Sequence, residues 1–178
     1  LSHFNFESRY ESRAVNNIYF DSGKYGNYAD NNHGLPSRVK LRFRWYGQLV
    51  GLHDGNLELK CRDNDSIWKH RMLLDGVKID QETKLLDFSK LMRKNAPPVL
   101  QLYTNIFDKI ILVNSYLRSY YESKDRKIRV TLDRNIDLYD QQSSTTFNLS
   151  RKNPFPEIVI LEIKANLDNR SEAEDFLQ

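Results

Sequence analysis

At 178 residues with 39% hydrophobic side chains, the chain is long enough for one domain with a core and too apolar for disorder. Its 27 basic and 24 acidic residues leave a formal charge of only +3, so a cationic surface must come from segregation of charge. A single cysteine, Cys61, excludes an internal disulfide framework and Cys-rich zinc sites, and His3, His33, His53 and His70 lack metal-ligand spacing. No apolar run approaches the roughly 20 residues of a membrane-crossing helix, and no charged-then-apolar leader is visible, so the chain reads as soluble and cytoplasmic.

Leu1 to Arg13 is polar and aromatic without a clear period and reads as a lead-in. Val15–Asp21 is a short strand, and a loop containing Gly26, Asn31, Asn32, Gly34 and Pro36 follows it. Ser37 to Gly47 alternates strictly, placing Val39, Leu41, Phe43 and Trp45 on one strand face and Arg38, Lys40, Arg42 and Arg44 on the other. Same-face neighbours lie roughly 7 Å apart, so each cation pair repels by about 2 kcal/mol at an effective dielectric near 20 and far less in open water. Such a row sits in water, faces carboxylates or receives an anion. A connection from Gly51 to Gly55 leads to Asn56–Arg62, with Glu58, Lys60 and Arg62 on one face, and then to Ile67–Leu73, where Lys69 and Arg71 share a face.

The period then changes. Asp80 to Asn95 repeats Leu85, Leu86, Phe88, Leu91 and Met92 at helical spacing until Pro97 and Pro98, and a second helix spans Val99 to Phe107. Asn114–Glu122 and Lys127–Asp133 form a hairpin, the first strand grouping Tyr116, Arg118, Tyr120 and Glu122 and the second Lys127, Arg129, Thr131 and Asp133. Ile136 to Tyr139 reads as a further short strand. Glu157–Ala165 is apolar apart from Glu162 and Lys164 after its first residue, which predicts burial on both faces with those two charges in an enclosed polar space. Ser171-Glu172-Ala173-Glu174 is a capping box opening a last helix that Gln178 cuts short; with Leu1 in place of an initiator methionine, we expect a single domain over residues 1–178, incomplete at both ends.

Basic residues at alternate positions of five strands predict a closed antiparallel barrel, α+β with helices packed outside, whose inward set lines a cationic tunnel. Guanidinium and ammonium groups converging there match a polyanion such as a phosphate chain. Glu58 and Glu162 share those faces, where a carboxylate either neutralises a neighbour or holds a hard divalent cation.

These residues also carry a resemblance. Val15–Asp21, Arg38-Val-Lys40-Leu-Arg42-Phe-Arg44-Trp45-Tyr46-Gly47, Leu57-Glu58-Leu59-Lys60, Trp68-Lys69, Tyr116-Leu-Arg118, Tyr120-Tyr121-Glu122, Arg129-Val-Thr131-Leu-Asp133 and Leu161-Glu162-Ile163-Lys164 resemble, in order, the VTC polyphosphate polymerase domain of the triphosphate tunnel metalloenzymes. The resemblance implies an eight-stranded tunnel binding ATP, triphosphate or polyphosphate with Mn2+ or Mg2+, and transfer of the terminal phosphate of ATP to a growing chain. Residue by residue it implies phosphate-handling, catalytic roles for Arg42, Arg44, Lys60, Arg118 and Arg129, and metal binding by Glu162, with Glu58 a further candidate. Strand parity adds Arg38, Lys40, Lys69, Arg71 and Lys164 to the phosphate-binding set. The family's opening strand and its carboxy-terminal helix have no counterpart, Phe6–Tyr10 resembling instead the segment before the second strand.

A triphosphatase would use the same wall with water as acceptor, and a sensor of polyphosphate or inositol phosphates needs the cations without the metal carboxylate. Retention of Glu162 favours an enzyme. Nucleic acid is disfavoured as a partner because Phe43 and Trp45 lie on the face opposite Arg42 and Arg44, although Tyr116 and Tyr120 share the face of Arg118. The sequence leaves the oligomeric state open.

Overall fold

A computed structural model describes residues 6–23, 26, 33, 35–64 and 66–166. Its elements are β1 (Phe6–Asp21), β2 (Ser37–Tyr46), β3 (Gly51–Asp63), β4 (Ser66–Ile79), α1 (Leu85–Asn95), α2 (Pro98–Ile106), β5 (Lys109–Ser123), β6 (Ile128–Asp140) and β7 (Ile160–Ala165). The strands form one antiparallel sheet in the order β4-β3-β2-β1-β5-β6-β7, seven strands with β4 and β7 at its ends. The described residues therefore give a mostly β fold with two helices and an open sheet, where a closed eight-stranded barrel was expected. No helix among them is long and apolar enough to cross a membrane.

The described residues form two compact units, one of 16–115 and 137–154, the other of 6–15, 116–136 and 155–166. The first holds the core. Leu41, Phe43 and Trp45 of β2 and Leu57, Leu59 and Cys61 of β3 are buried, as their alternation requires, and α1 adds Phe88 and Met92. The Phe88 ring meets Phe43 edge-on at 5.7 Å and Phe147 at 5.2 Å. Gly55 faces the Phe43 ring so closely that a Cβ there would stand 2.4 Å from it, which reserves this position on β3 for glycine. Gly47, at φ 90°, starts the turn after β2, and Gly51 already pairs with Ile79, so the expected Gly51–Gly55 connection is strand.

Helix α1 begins later than the periodicity suggests. Asp80 accepts hydrogen bonds from the backbone N–H groups of Glu82 and Thr83 and from the Thr83 hydroxyl, making a turn before Leu85. Pro98 stands in the first turn of α2, where a missing N–H costs nothing. The two stretches read separately as Lys127–Asp133 and Ile136–Tyr139 are one strand, β6, continuous through Asn135 at φ 53°.

In the second unit two expectations fail. Residues 6–13 are strand, not lead-in: this end of β1 buries no apolar row, so no hydrophobic alternation marks it. It is held by polar pairs, the Ser12 and Ser119 hydroxyls at 2.6 Å and Arg9 with Glu122 at 3.2 Å. The last strand is shorter than expected and exposed, with Val159, Ile160 and Leu161 all open to solvent. The apolar run from Ile158 to Leu161 did not bring two covers: β7 ends the sheet and pairs with β6 alone among the described strands. The Ser171 capping box and much of the 24–34 loop lie outside the described residues.

Candidate functional site: two charged sheet faces

Register across β2, β3 and β4 turns the alternating cations into rows. Lys40 stands opposite Lys60 and Lys60 opposite Lys69; Arg42 opposite Glu58 and Glu58 opposite Arg71; Arg38 opposite Arg62; and Arg44 opposite Asn56. In these four rows Arg38, Lys40, Arg42, Arg44, Lys60, Arg62, Lys69 and Arg71 face the single carboxylate of Glu58. Directly opposed like charges destabilise a sheet, and three lysines in one row are the extreme of that arrangement.

The one carboxylate is fully used. Its Oε2 accepts from Arg42 Nε at 2.9 Å and Nη2 at 2.7 Å, while Oε1 lies 3.2 Å from Arg71 Nε. Burial works to raise the Glu58 carboxyl, but Arg42, with Arg44 and Arg71, outweighs it and holds the group below the ordinary carboxylate range. Desolvation also works against the Arg42 charge, and Tyr19 and Glu58 more than restore it. The Lys40 ammonium has no such compensation: desolvation first, then Arg38 and Arg42, push it below its ordinary value. Arg44 Nε donates to Asn17 Oδ1 at 2.7 Å. Sequence reasoning missed Asn17 and Tyr19, although an amide at Asn17 in a strand that is otherwise core was the available signal.

The second unit answers its cations with acids. Arg118 donates Nε to Asp133 Oδ1 and Nη2 to Asp133 Oδ2, each at 2.6 Å, in a fork that both side chains bury. Those hydrogen bonds above all raise the Arg118 guanidinium beyond its ordinary value. Its Nη2 lies 3.8 Å from Glu162 Oε2, and its plane sits 5.3 Å from the Tyr116 ring. Lys164 Nζ is 3.0 Å from Glu162 Oε1, and on the facing strand Arg129 stands opposite Lys164 and Thr131 opposite Glu162. Along β1 and β5, Arg9 pairs with Glu122, and Arg13 lies 4.9 Å over the Tyr120 ring.

The enclosed carboxylate of this unit is thus Asp133, with a side chain 10% exposed, and not Glu162, at 44%. Edge position explains the reversal, since β7 lacks a second neighbour among the described strands. Arg42, Arg44, Lys60, Arg38, Lys40, Lys69 and Arg71 come together on one face, and Arg118, Glu162, Lys164 and Arg129 on the other strands as a separate group. Arg118, an expected phosphate ligand, is held by the Asp133 carboxylate in this structure.

Among the described residues no three His, Cys, Asp or Glu side chains are grouped to hold a metal ion. Glu58 fits a metal poorly, both of its oxygens being engaged by guanidinium groups. Glu162 fits better: a half-exposed carboxylate paired with a mobile type of side chain, lysine, can serve a hard cation that takes its remaining ligands from phosphate and water.

No curated protein matches the chain. The model of the VTC domain family matches residues 1–178. VTC domains are linked in general to polyphosphate-metabolising enzymes, and a polyphosphate-related function fits the rows of cations just described. With its whole length matched, the chain belongs to the VTC domain family, within the triphosphate tunnel metalloenzymes.

Proposed function

We propose that the chain is a metal-dependent polyphosphate polymerase domain that transfers the terminal phosphate of ATP to a growing polyphosphate chain. The observation that carries this reading is the Lys40–Lys60–Lys69 row beside the Arg42–Glu58–Arg71 row. A linear polyanion spreads its charge along a chain, and cations repeated in rows match it better than they match a single anion. Arg38, Lys40, Lys60, Lys69 and Arg71 bind the phosphates, and Arg42 and Arg44 stabilise charge on the phosphoryl group in transfer, a reaction that relies on positioning and electrostatics. In the second unit Arg118, Arg129 and Lys164 bind phosphate as well, Arg118 only by exchanging Asp133 for phosphate. Glu162 holds Mn2+ or Mg2+, which when bound neutralises phosphate charge and aligns the reacting groups. The reading includes a closed tunnel, which needs one strand more than the seven described, and a cytoplasmic setting where ATP is at hand. Nucleic acid does not fit the basic face, because Phe43 and Trp45 are core side chains and offer no rings for bases.

The test is incubation of the full-length protein with ATP and Mn2+, resolving polyphosphate on a gel and assaying free phosphate separately. Long chains are the expected product. Free phosphate alone would make the domain a triphosphatase, and neither product, with tight tripolyphosphate binding, would make it a sensor. Glu162→Gln should bind tripolyphosphate in chelator and lose metal-dependent turnover; activity near that of the parent in Mn2+ would remove the metal assignment.

A further inference from the structure

Beneath the basic face, two side-chain amides stand in series behind Arg44. Asn17 of β1 is fully buried, and its Oδ1 accepts from Arg44 Nε at 2.7 Å. Its Nδ2 donates to Oδ1 of Asn114, on the neighbouring strand β5, at 2.8 Å. The polarity of this chain of bonds is dictated by chemistry. A guanidinium carries donors only, so Asn17 must turn its oxygen to Arg44 and its nitrogen away, and the atom of Asn114 that meets that nitrogen must be its oxygen.

The adjacent row solves the same problem differently. Arg42 is held by the carboxylate of Glu58, which fixes the guanidinium and takes up its charge. An amide oxygen fixes direction without adding a negative charge.

Resting on the reading that this face binds a phosphate chain, we infer that Asn17 and Asn114 are positioning residues: an uncharged relay that aims Arg44 at bound polyphosphate. The relay sets the affinity of the face through two properties, the acceptor it presents to Arg44 Nε and its own neutrality. Asn17→Asp keeps the acceptor and the shape but sets a negative charge against Arg44, its second oxygen accepting from Asn114 once that amide turns over to present Nδ2, and Asn114→Leu keeps the bulk while removing the acceptor that orients Asn17.

Calorimetric titration with tripolyphosphate, paired with thermal melting of the unliganded protein, tests this. Asn17→Asp should weaken tripolyphosphate binding by about tenfold or more, while the melting temperature holds or rises, because the new carboxylate is paired with Arg44. Asn114→Leu should weaken binding, and Asn114→Asp, which restores an acceptor, should recover part of that loss. Structural damage alone would move binding and melting down together, and that result for Asn17→Asp would overturn the inference. So would binding by Asn17→Asp equal to the parent's; if Arg42→Ala still impairs binding in that case, the relay falls and the polyphosphate reading stands. Failure of the parent to bind tripolyphosphate at all would overturn both.

Discussion

The face built by β2, β3 and β4 and the group built by β5, β6 and β7 share a sequence feature, Arg or Lys on one alternating set of each strand, and reach opposite electrostatic ends. On the first, the Lys40–Lys60–Lys69 row contains no acid at all and Glu58 serves Arg42 and Arg71 together. On the second, Asp133 holds Arg118 in a two-bond fork and Glu162 meets Lys164. Alternating cations therefore do not by themselves make an anion site; the acids at the facing register positions decide. The first face sets exposed cations side by side, whereas the second engages its charges in ion pairs between strands.

The largest effect should come from breaking the fork. Arg118→Ala leaves Asp133 buried without its counter-ion, and opening a buried pair from one side costs about 3 kcal/mol or more. Urea unfolding should show it as a lowered midpoint at unchanged slope. Removing both partners in Arg118→Met with Asp133→Leu should recover most of the loss, since no orphaned charge remains. If Arg118→Ala unfolds like the parent, the second group is not structural and the contrast between the two faces fails.

A smaller effect is expected at Glu58, the one acid in the four rows of the first face. Glu58→Gln removes hydrogen bonds to charge at a partly screened site and should cost about 1 kcal/mol. Tripolyphosphate should bind more tightly, because a repelling carboxylate has gone. The pH dependence has a definite sign. The folded Glu58 carboxyl lies below its ordinary value of 4.5, so its stabilisation is present above that value and is lost as pH falls through the depressed one. Acid titration of the parent should show that loss below about pH 4.5, and Glu58→Gln should lack its share. Tighter anion binding with no change in the acid limb would separate the two roles and undo the pairing argument.

How much of this was legible depended on what each residue had beside it. The faces of β2 and β3 followed from Leu41, Phe43, Trp45, Leu57 and Leu59, because a strand buries alternate side chains and these five are apolar at alternate places. Rows across strands were not legible, since pairing Lys40 with Lys60 and Lys69 needs the turn lengths, and Gly51–Gly55, expected as a connection, belongs to β3. The Arg118–Asp133 fork was nearer to hand. The hairpin closes where Ile128 N–H donates to the Ser123 hydroxyl, and equal steps back from Ser123 and Ile128 lead to Arg118 and Asp133. At the far end, the run from Ile158 to Leu161 looked like core because hydrophobicity reports what a strand could bury, not whether a neighbour arrives to bury it. The polar end of β1 hid for the converse reason, its order coming from pairs such as Arg9–Glu122 that no single-strand pattern displays.

The smallest expected effect is also the most particular to the unbalanced face. Lys40 is the cation whose charge is opposed from all sides named so far: Lys60 stands across from it, and desolvation, Arg38 and Arg42 depress its ammonium below the ordinary value of 10.5. A base with a lowered folded pKa weakens the fold while it is charged, so this contribution to stability is unfavourable at neutral pH and lifts as pH climbs through the depressed value toward 10.5. Lys40→Met keeps the length of the stem and removes the charge. It should raise unliganded stability by a few tenths of a kcal/mol to about 0.5 kcal/mol at pH 7, flatten the alkaline rise of the parent, and weaken tripolyphosphate binding. Arg42→Ala should not gain in the same way, because it deprives Glu58 of its strongest partner. Measured side by side in low salt, the two variants should therefore part in stability while agreeing in loss of binding. A Lys40→Met protein that melts below the parent and binds tripolyphosphate normally would show that the lysine row is ordinary solvated surface, and the comparison between the two faces would lose its first half.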